Sequence, residues 1–95
     1  MILELAQITV SPGTEADFER VFPTAIRLLA GSPGYVRHEL RRSVETPNRY
    51  ALLVTWRTLE DHTVGFRGSP AFLEWRAHLG PFLAAPPVVE HFVAT

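Results

Sequence analysis

The segment YVRHELRRSVETPNRYALLVTW, residues 35–56, predicts a β-hairpin, and the rest of the fold can be inferred around it. RYALLVTW, 49–56, is rich in β-branched and aromatic residues and is the strongest strand candidate in the chain. YVRHELRRS, 35–43, alternates and carries charges along its length, which is typical of a partly exposed strand. Because ETPN, 45–48, supplies a turn between them, we predict that the two strands pair antiparallel.

A strand and an amphipathic helix precede the hairpin. ILELAQITV, 2–10, is β-rich and ends at the turn signal SPG, 11–13. A helix with Thr14 at its start follows, and Pro23 inside it removes one backbone hydrogen bond, so we expect a kink or a helix in two pieces. Apolar residues recur along it at helical spacing. They are Phe18, Val21, Phe22, Ala25, Ile26 and Leu29.

The segment WRTLEDHTVGFRGSPAF, 56–72, predicts a helix that breaks and restarts. Thr58 is a capping residue for a short helix that the glycines at 65 and 68 would weaken. Ser69 and Pro70 then restart the helix as its N-cap and first residue. Helical spacing continues with Phe72, Trp75 and Leu79.

A fourth strand, VVEHFVAT at 88–95, completes the order β-α-β-β-α-β. This order predicts a ferredoxin-like α+β fold, with a four-stranded antiparallel sheet and both helices on one face. Because 95 residues leave room for one core only, we expect a single domain over residues 1–95.

Composition restricts the function classes. The formal charge of −1 argues against binding to nucleic acid or to an anionic membrane. The absence of cysteine excludes disulfides, thiolate nucleophiles and cysteine metal sites. No apolar run approaches about 18 residues, and the amino-terminal segment lacks the pattern of a signal peptide. We therefore expect a cytoplasmic protein with no membrane partner.

The predicted sheet is apolar on both faces. In the third strand Leu52 and Val54 alternate with Ala51 and Leu53, and the last strand is equally apolar. The helices can cover only one face, and an exposed apolar sheet face of this size indicates an interface or a ligand cavity. We predict an isologous homodimer through the sheet face.

These segments resemble the antibiotic biosynthesis monooxygenase (ABM) family, within the dimeric α+β barrel superfamily. The resemblance covers nearly the whole chain. It is carried by ITVSPGTEADFE, SPGYVRHEL, NRYALLVTWRTLEDH, SPAFLEW and the final VEHF. It implies cytoplasmic dimers with a pocket between the helices and the concave sheet face of each subunit. It also implies that some members oxidise anthrone- or quinol-like aromatics with O2 and with no metal or flavin cofactor.

The resemblance therefore predicts a cofactor-free monooxygenase that acts on a small aromatic ligand. In such chemistry the protein supplies deprotonation, anion stabilisation and a dry cavity. Two other functions stay open. One is a non-catalytic small-molecule-binding or stress-response domain with the same pocket, and the other is a cofactor-free isomerase or cyclase, which would consume no oxygen.

Two histidines are the candidate catalytic residues. His62 and Phe66 lie four residues apart and share a helix face, where His62 could ionise a phenol. The structural alternative is a histidine bonded to a backbone carbonyl. On the last strand only one of Glu90 and His91 can face the cavity. An inward His91 could pair with His62 or bind a substrate oxygen, and otherwise it would lie at the dimer interface.

The candidate substrate-binding residues are aromatic or basic. Phe66, Phe72 and Trp75 could stack on a flat aromatic ligand, although aromatics at helical spacing also form cores. Arg67 and Arg76 could stabilise an enolate, or form solvated ion pairs.

No metal site is predicted. The four histidines lack HxH or HExxH spacing, and His38 and His78 are expected to be exposed. Heme-degrading members of the superfamily use an Asn on the first strand, a Trp on the helix after the third strand and a His further along as iron ligand. This chain has Ala6 or Gln7 and Phe66 at the first two positions, and only His78 lies near the third. The resemblance therefore argues against heme degradation, whereas His78 leaves simple heme binding open.

Overall fold

A computed structural model describes residues 1–95 and contains four strands and two α-helices. In chain order these are β1 (Ile2–Thr9), α1 (Glu15–Ala30), β2 (Tyr35–Arg42), β3 (Arg49–Trp56), α2 (Pro70–Leu79) and β4 (Val88–Phe92). One turn of π-helix, Asp61–Phe66, lies between β3 and α2, and a 3-10 turn, Gly80–Phe82, follows α2. No helix combines the length and the apolar character that crossing a membrane would require.

The strands form one antiparallel sheet in the order β2-β3-β1-β4. This confirms the predicted ferredoxin-like fold and the predicted hairpin of β2 and β3. The register places Leu5 opposite Leu53 on β3 and opposite Glu90 on β4. On the same three strands Glu4 lies opposite Val54 and His91. Each strand therefore contributes alternate residues to a helix-facing inner face and to an outer face.

Helix α1 runs as one helix through Pro23, so of the two expected outcomes, a kink or a helix in two pieces, the second does not occur. Its buried side holds Phe18, Phe22, Ala25, Ile26 and Leu29. Burial of this apolar stripe against the sheet outweighs one missing backbone hydrogen bond. The Thr14 hydroxyl donates to the Ser11 carbonyl and does not cap the helix.

The core lies between α1 and the inner sheet face. Tyr50, Leu52, Val54 and Trp56 of β3 are all buried there. His38 is half-buried and its Nδ1 lies 2.6 Å from the Tyr35 hydroxyl, so the prediction that it is exposed was wrong.

The outer sheet face has no covering layer within one chain. Leu3, Leu5 and Leu53 along its middle are only half-buried, and Phe92 on the edge strand is 42% exposed. One chain alone therefore leaves the apolar outer sheet face uncovered, as the alternation of residues along the strands predicts.

Candidate active site

A cavity of about 1000 Å³ lies between α2, the inner sheet face and the loop before β4. It exists because α2 packs mainly against α1 and stays away from the sheet. Ala6, Ile8 and Leu52 form its floor, and Leu83, Pro86 and Val89 close one side. The wall is therefore largely apolar, as expected for a site that binds a small organic molecule.

The cavity brings together most of the residues that the sequence predicted for a site. Six of them line it: His62, Phe66, Arg67, Phe72, Trp75 and Arg76. His91 does not line the cavity, but its Nε2 lies 2.8 Å from Nδ1 of His62. His78 is exposed and lies outside the cavity wall.

The π-turn places His62 and Phe66 in this wall. The Thr58 hydroxyl accepts the Asp61 N–H at its start, and its end is closed by the N–H of Arg67 donating to the His62 carbonyl. Gly68 is needed after the turn, because a Cβ there would lie 2.6 Å from the Val64 carbonyl oxygen. The predicted break in the helix is thus a widened turn that points two side chains inward.

His62 contacts the cross-strand pair Glu4 and His91. These two residues face each other on β1 and β4, and the His62 ring contacts both. Nε2 of His62 lies 3.4 Å from Oε1 of Glu4, slightly longer than an ordinary hydrogen bond. The same Glu4 oxygen accepts the Trp56 indole N–H at 2.9 Å. Glu4 and His62 are 4% and 3% exposed, so the pair is nearly dry.

Burial shifts the pKa of each member of this cluster towards its neutral form. Desolvation raises the pKa of the Glu4 carboxyl, although the Trp56 hydrogen bond and the Arg67 charge act in the opposite direction. Desolvation, then Arg67 and His91, lower the pKa of His62 to about 4. Desolvation and Arg67 also lower the pKa of His91. His62 is therefore neutral at physiological pH, and its contact with Glu4 is not an ion pair.

Aromatic rings connect this cluster to the cavity. His62 stacks on Trp56 with ring centroids 5.2 Å apart, and Phe66 lies beyond it. Phe66 meets Phe72 and Trp75 edge-to-face, at 5.6 and 6.3 Å between centroids. Phe66 is fully buried, whereas Phe72 and Trp75 are half-buried and present ring surface to the cavity.

The two arginines of the cavity wall have no carboxylate partner. Arg67 and Arg76 take part in none of the ion pairs of the molecule, and Arg76 lies over the Phe72 ring at 5.7 Å. Two cations without ion-pair partners on a largely apolar wall favour an anionic or anion-forming ligand.

Glu4 is the member of the site that sequence reasoning missed, and His91 is the one whose orientation it left open. The structure places His91 on the inner face and Glu90 on the outer face. The signal for Glu4 was present, because it is the one charged residue on the face of β1 that also holds Ala6, Ile8 and Val10. No group of three or more potential ligands is arranged to hold a metal ion.

Comparisons with known proteins agree with this architecture. The model of the antibiotic biosynthesis monooxygenase family matches residues 1–78. An uncharacterized protein, YczJ of Bacillus subtilis (strain 168), is 45% identical over 92 residues, covering 97% of both chains.

Solved structures agree as well. A Bordetella bronchiseptica protein that carries the name of the same family is 44% identical, with a TM-score of 0.94 over 99% of this chain and 96% of its own. SnoaB of Streptomyces nogalater, a cofactor-independent oxygenase, is 26% identical, with a TM-score of 0.84 over 99% of this chain and 92% of its own. The family match spans most of the chain, and the relatives are matched along nearly their full length. The chain therefore belongs to the antibiotic biosynthesis monooxygenase family.

Proposed function

We propose that this protein is an oxygenase that oxidises a small, electron-rich, quinol- or anthrone-like compound with O2 and no bound cofactor. The observation that carries the proposal is the buried Glu4–His62 pair, which opens onto an aromatic cavity with two unpaired arginines. The description of SnoaB as a cofactor-independent oxygenase supports both the reaction class and the lack of a cofactor.

The cavity suits a flat aromatic ligand. Its volume of about 1000 Å³ is enough for a ligand of several fused rings. Phe72 and Trp75 offer ring surface for stacking, while Leu52 and Ile8 form an apolar floor. Such a site desolvates the bound compound, which strengthens every electrostatic contact made to it.

Glu4 is the best-placed proton acceptor in the cavity wall. The sequence suggested His62 as the base, but its two ring nitrogens face His91 and Glu4, and its lowered pKa makes it a weak base. Burial raises the pKa of Glu4 and brings it closer to the working pH, where a general base is most effective. The pair therefore acts with Glu4 as base and with His62 as its neighbour at 3.4 Å.

The arginines stabilise the resulting anion. Loss of a proton from a phenol or an anthrone leaves charge on an oxygen, which Arg67 and Arg76 can neutralise from the cavity wall. The electron-rich anion then reacts with O2. For an anthrone, the CH2 group becomes C=O, one oxygen atom of O2 enters the product, and the other leaves as water.

We further propose that two chains pair through their outer sheet faces into a dimeric barrel, with one cavity in each subunit. The half-buried Leu5 and Leu53 at the centre of that face support this arrangement. A cytoplasmic location stays a prediction.

The test is oxygen uptake by metal-stripped protein offered a panel of anthrones and quinols. We expect uptake above the uncatalysed rate in the native sequence and at least a hundredfold less in Glu4→Gln, because an amide cannot accept the proton. His62→Ala should also slow uptake. His78→Ala is the matched control, since His78 is exposed and outside the cavity wall.

The alternatives give distinct results. Saturable binding of a panel compound without oxygen uptake would identify a binding domain. Conversion of the compound without oxygen uptake would identify an isomerase or cyclase. Uptake that is unchanged in Glu4→Gln would leave the oxygenase in place and remove Glu4 from the chemistry.

A further inference from the structure

His91 continues the Glu4–His62 pair away from the cavity. Glu4 and His62 line the cavity, whereas His91 does not line it and is only half-buried on the edge strand β4. The three side chains therefore form a row that begins at the dry wall of the site and ends at the edge of the sheet.

The row has a consistent direction of hydrogen bonding. When Glu4 is ionised, it can accept both the Trp56 indole N–H and the Nε2–H of His62. Nδ1 of His62 is then bare and accepts Nε2–H of His91 across 2.8 Å. This leaves Nδ1 of His91 as the free end of the row. Each histidine has one nitrogen towards each neighbour, which is the arrangement that passes protons along a chain.

We propose that Glu4, His62 and His91 form a proton relay through which the Glu4 carboxyl exchanges its proton with solvent at β4 and is returned to its ionised form. The inference rests on the proposed function only for the use made of the ionised carboxylate. His91 acts through His62 and does not touch the ligand, so it is a positioning and relay residue.

The relay step balances. In the protonated state the Glu4 O–H donates to a bare Nε2 of His62, and both rings carry hydrogen on Nδ1. The Glu4 proton then passes to Nε2 of His62, Nδ1–H of His62 passes one to Nε2 of His91, and Nδ1–H of His91 gives one to water. One proton leaves, Glu4 is again ionised, and both rings carry hydrogen on Nε2. Within the row, Glu4 on β1 and His91 on β4 are the titratable groups that face His62. The charged group beside the row is Arg67, at the end of the π-turn. The Arg67 charge disfavours a second positive charge on either ring and so favours passing a proton on over storing it.

The first test needs no substrate. Long-range proton–nitrogen correlation spectra of histidine-labelled protein report which ring nitrogen carries hydrogen. As pH rises through the raised pKa of the Glu4 carboxyl, we expect His62 and His91 to exchange tautomers at one shared midpoint, because Glu4 cannot change protonation without both rings following. In Glu4→Gln both should keep a single tautomer, with exposed His78 as the control. Separate midpoints, or a step that persists in Glu4→Gln, would overturn the relay.

The second test separates relaying from mere support of His62. His91→Gln can still donate a hydrogen bond to His62 but cannot pass a proton, whereas His91→Ala opens a gap near the surface. We expect turnover to fall roughly tenfold or more in both, with imidazole in the buffer restoring His91→Ala only. Turnover of His91→Gln at the native rate, or a loss in His91→Ala without rescue, would reduce His91 to a structural role. If no panel compound is oxidised, the oxygenase proposal fails while the spectra still decide the relay.

Discussion

At the scale of single residues, the site depends on one carboxylate placed where an apolar residue would be expected. A buried Glu is costly unless it is hydrogen-bonded, and here the Trp56 indole N–H supplies the bond while the stacked His62 ring excludes water. Glu4 and His62 share this cost, because burial shifts the pKa of each towards its neutral form. The protein therefore keeps a reactive Glu4 carboxyl at a cost in folding stability, as is common at functional sites.

His62 should make stability depend on pH. The unfolded histidine binds a proton below about pH 6.5, whereas folded His62 does so only below about 4, so acid favours the unfolded state between these values. Relative to His62→Gln, the native sequence should lose about 3 kcal/mol of unfolding free energy as pH falls through this window. The measurement is urea unfolding at fixed protein concentration and several pH values.

The difference between the two proteins isolates His62 from the other titrating groups. The raised pKa of Glu4 acts in the opposite sense, because its contribution to stability is lost as pH rises. His78→Gln, at an exposed position, is the matched control for the effect of a His-to-Gln substitution itself. A flat difference for His62→Gln would mean that His62 titrates normally in the folded state.

At the scale of elements, the π-turn connects fold to site. The sequence predicted that the helix breaks near Gly65 and Gly68, because glycine weakens helices. It could not predict a π-turn, since that geometry depends on contacts with other elements. One such contact is Gly34, just before β2, where a Cβ would overlap the Asp61 carboxylate at the first residue of the turn.

Gly34→Ala should therefore displace the π-turn. Gly34 has a φ of +86°, and Gly13, with a φ of +92°, is a matched control because a Cβ there meets nothing. Gly13→Ala should cost about 1 kcal/mol from backbone strain alone. Gly34→Ala should cost clearly more and should also break the His62–His91 contact, as read from the histidine spectra. Equal costs with unchanged spectra would show that Asp61 moves aside freely.

At the scale of the whole molecule, the order of strands and helices was predictable because it depends on periodicity and turn residues that are local in sequence. The alternation in β3 correctly separated Leu52 and Val54 from Ala51 and Leu53. Alternation places Glu4 on the face of β1 with Ala6 and Ile8, but it was missed because the Trp56 and His62 side chains that make its burial possible lie far away in the sequence. The resemblance implied a pocket between the helices and the sheet, but its size could not be predicted because it depends on α2 standing off from the sheet, a long-range property of the packing.

The last prediction concerns assembly of two chains through the apolar outer face. Leu53 and Leu5 are paired neighbours near its centre, so Leu53→Lys would place an unpaired charge in the interface of the proposed dimer. Sedimentation equilibrium should give twice the 10.7 kDa chain mass for the native protein and a single chain for Leu53→Lys. Val44→Lys is the control, since Val44 is 89% exposed in the β2–β3 turn and should leave the dimer intact. Melting temperature should rise with protein concentration in the native protein and in Val44→Lys but not in Leu53→Lys. A Leu53→Lys dimer as tight as the native one would place the interface elsewhere on the molecule.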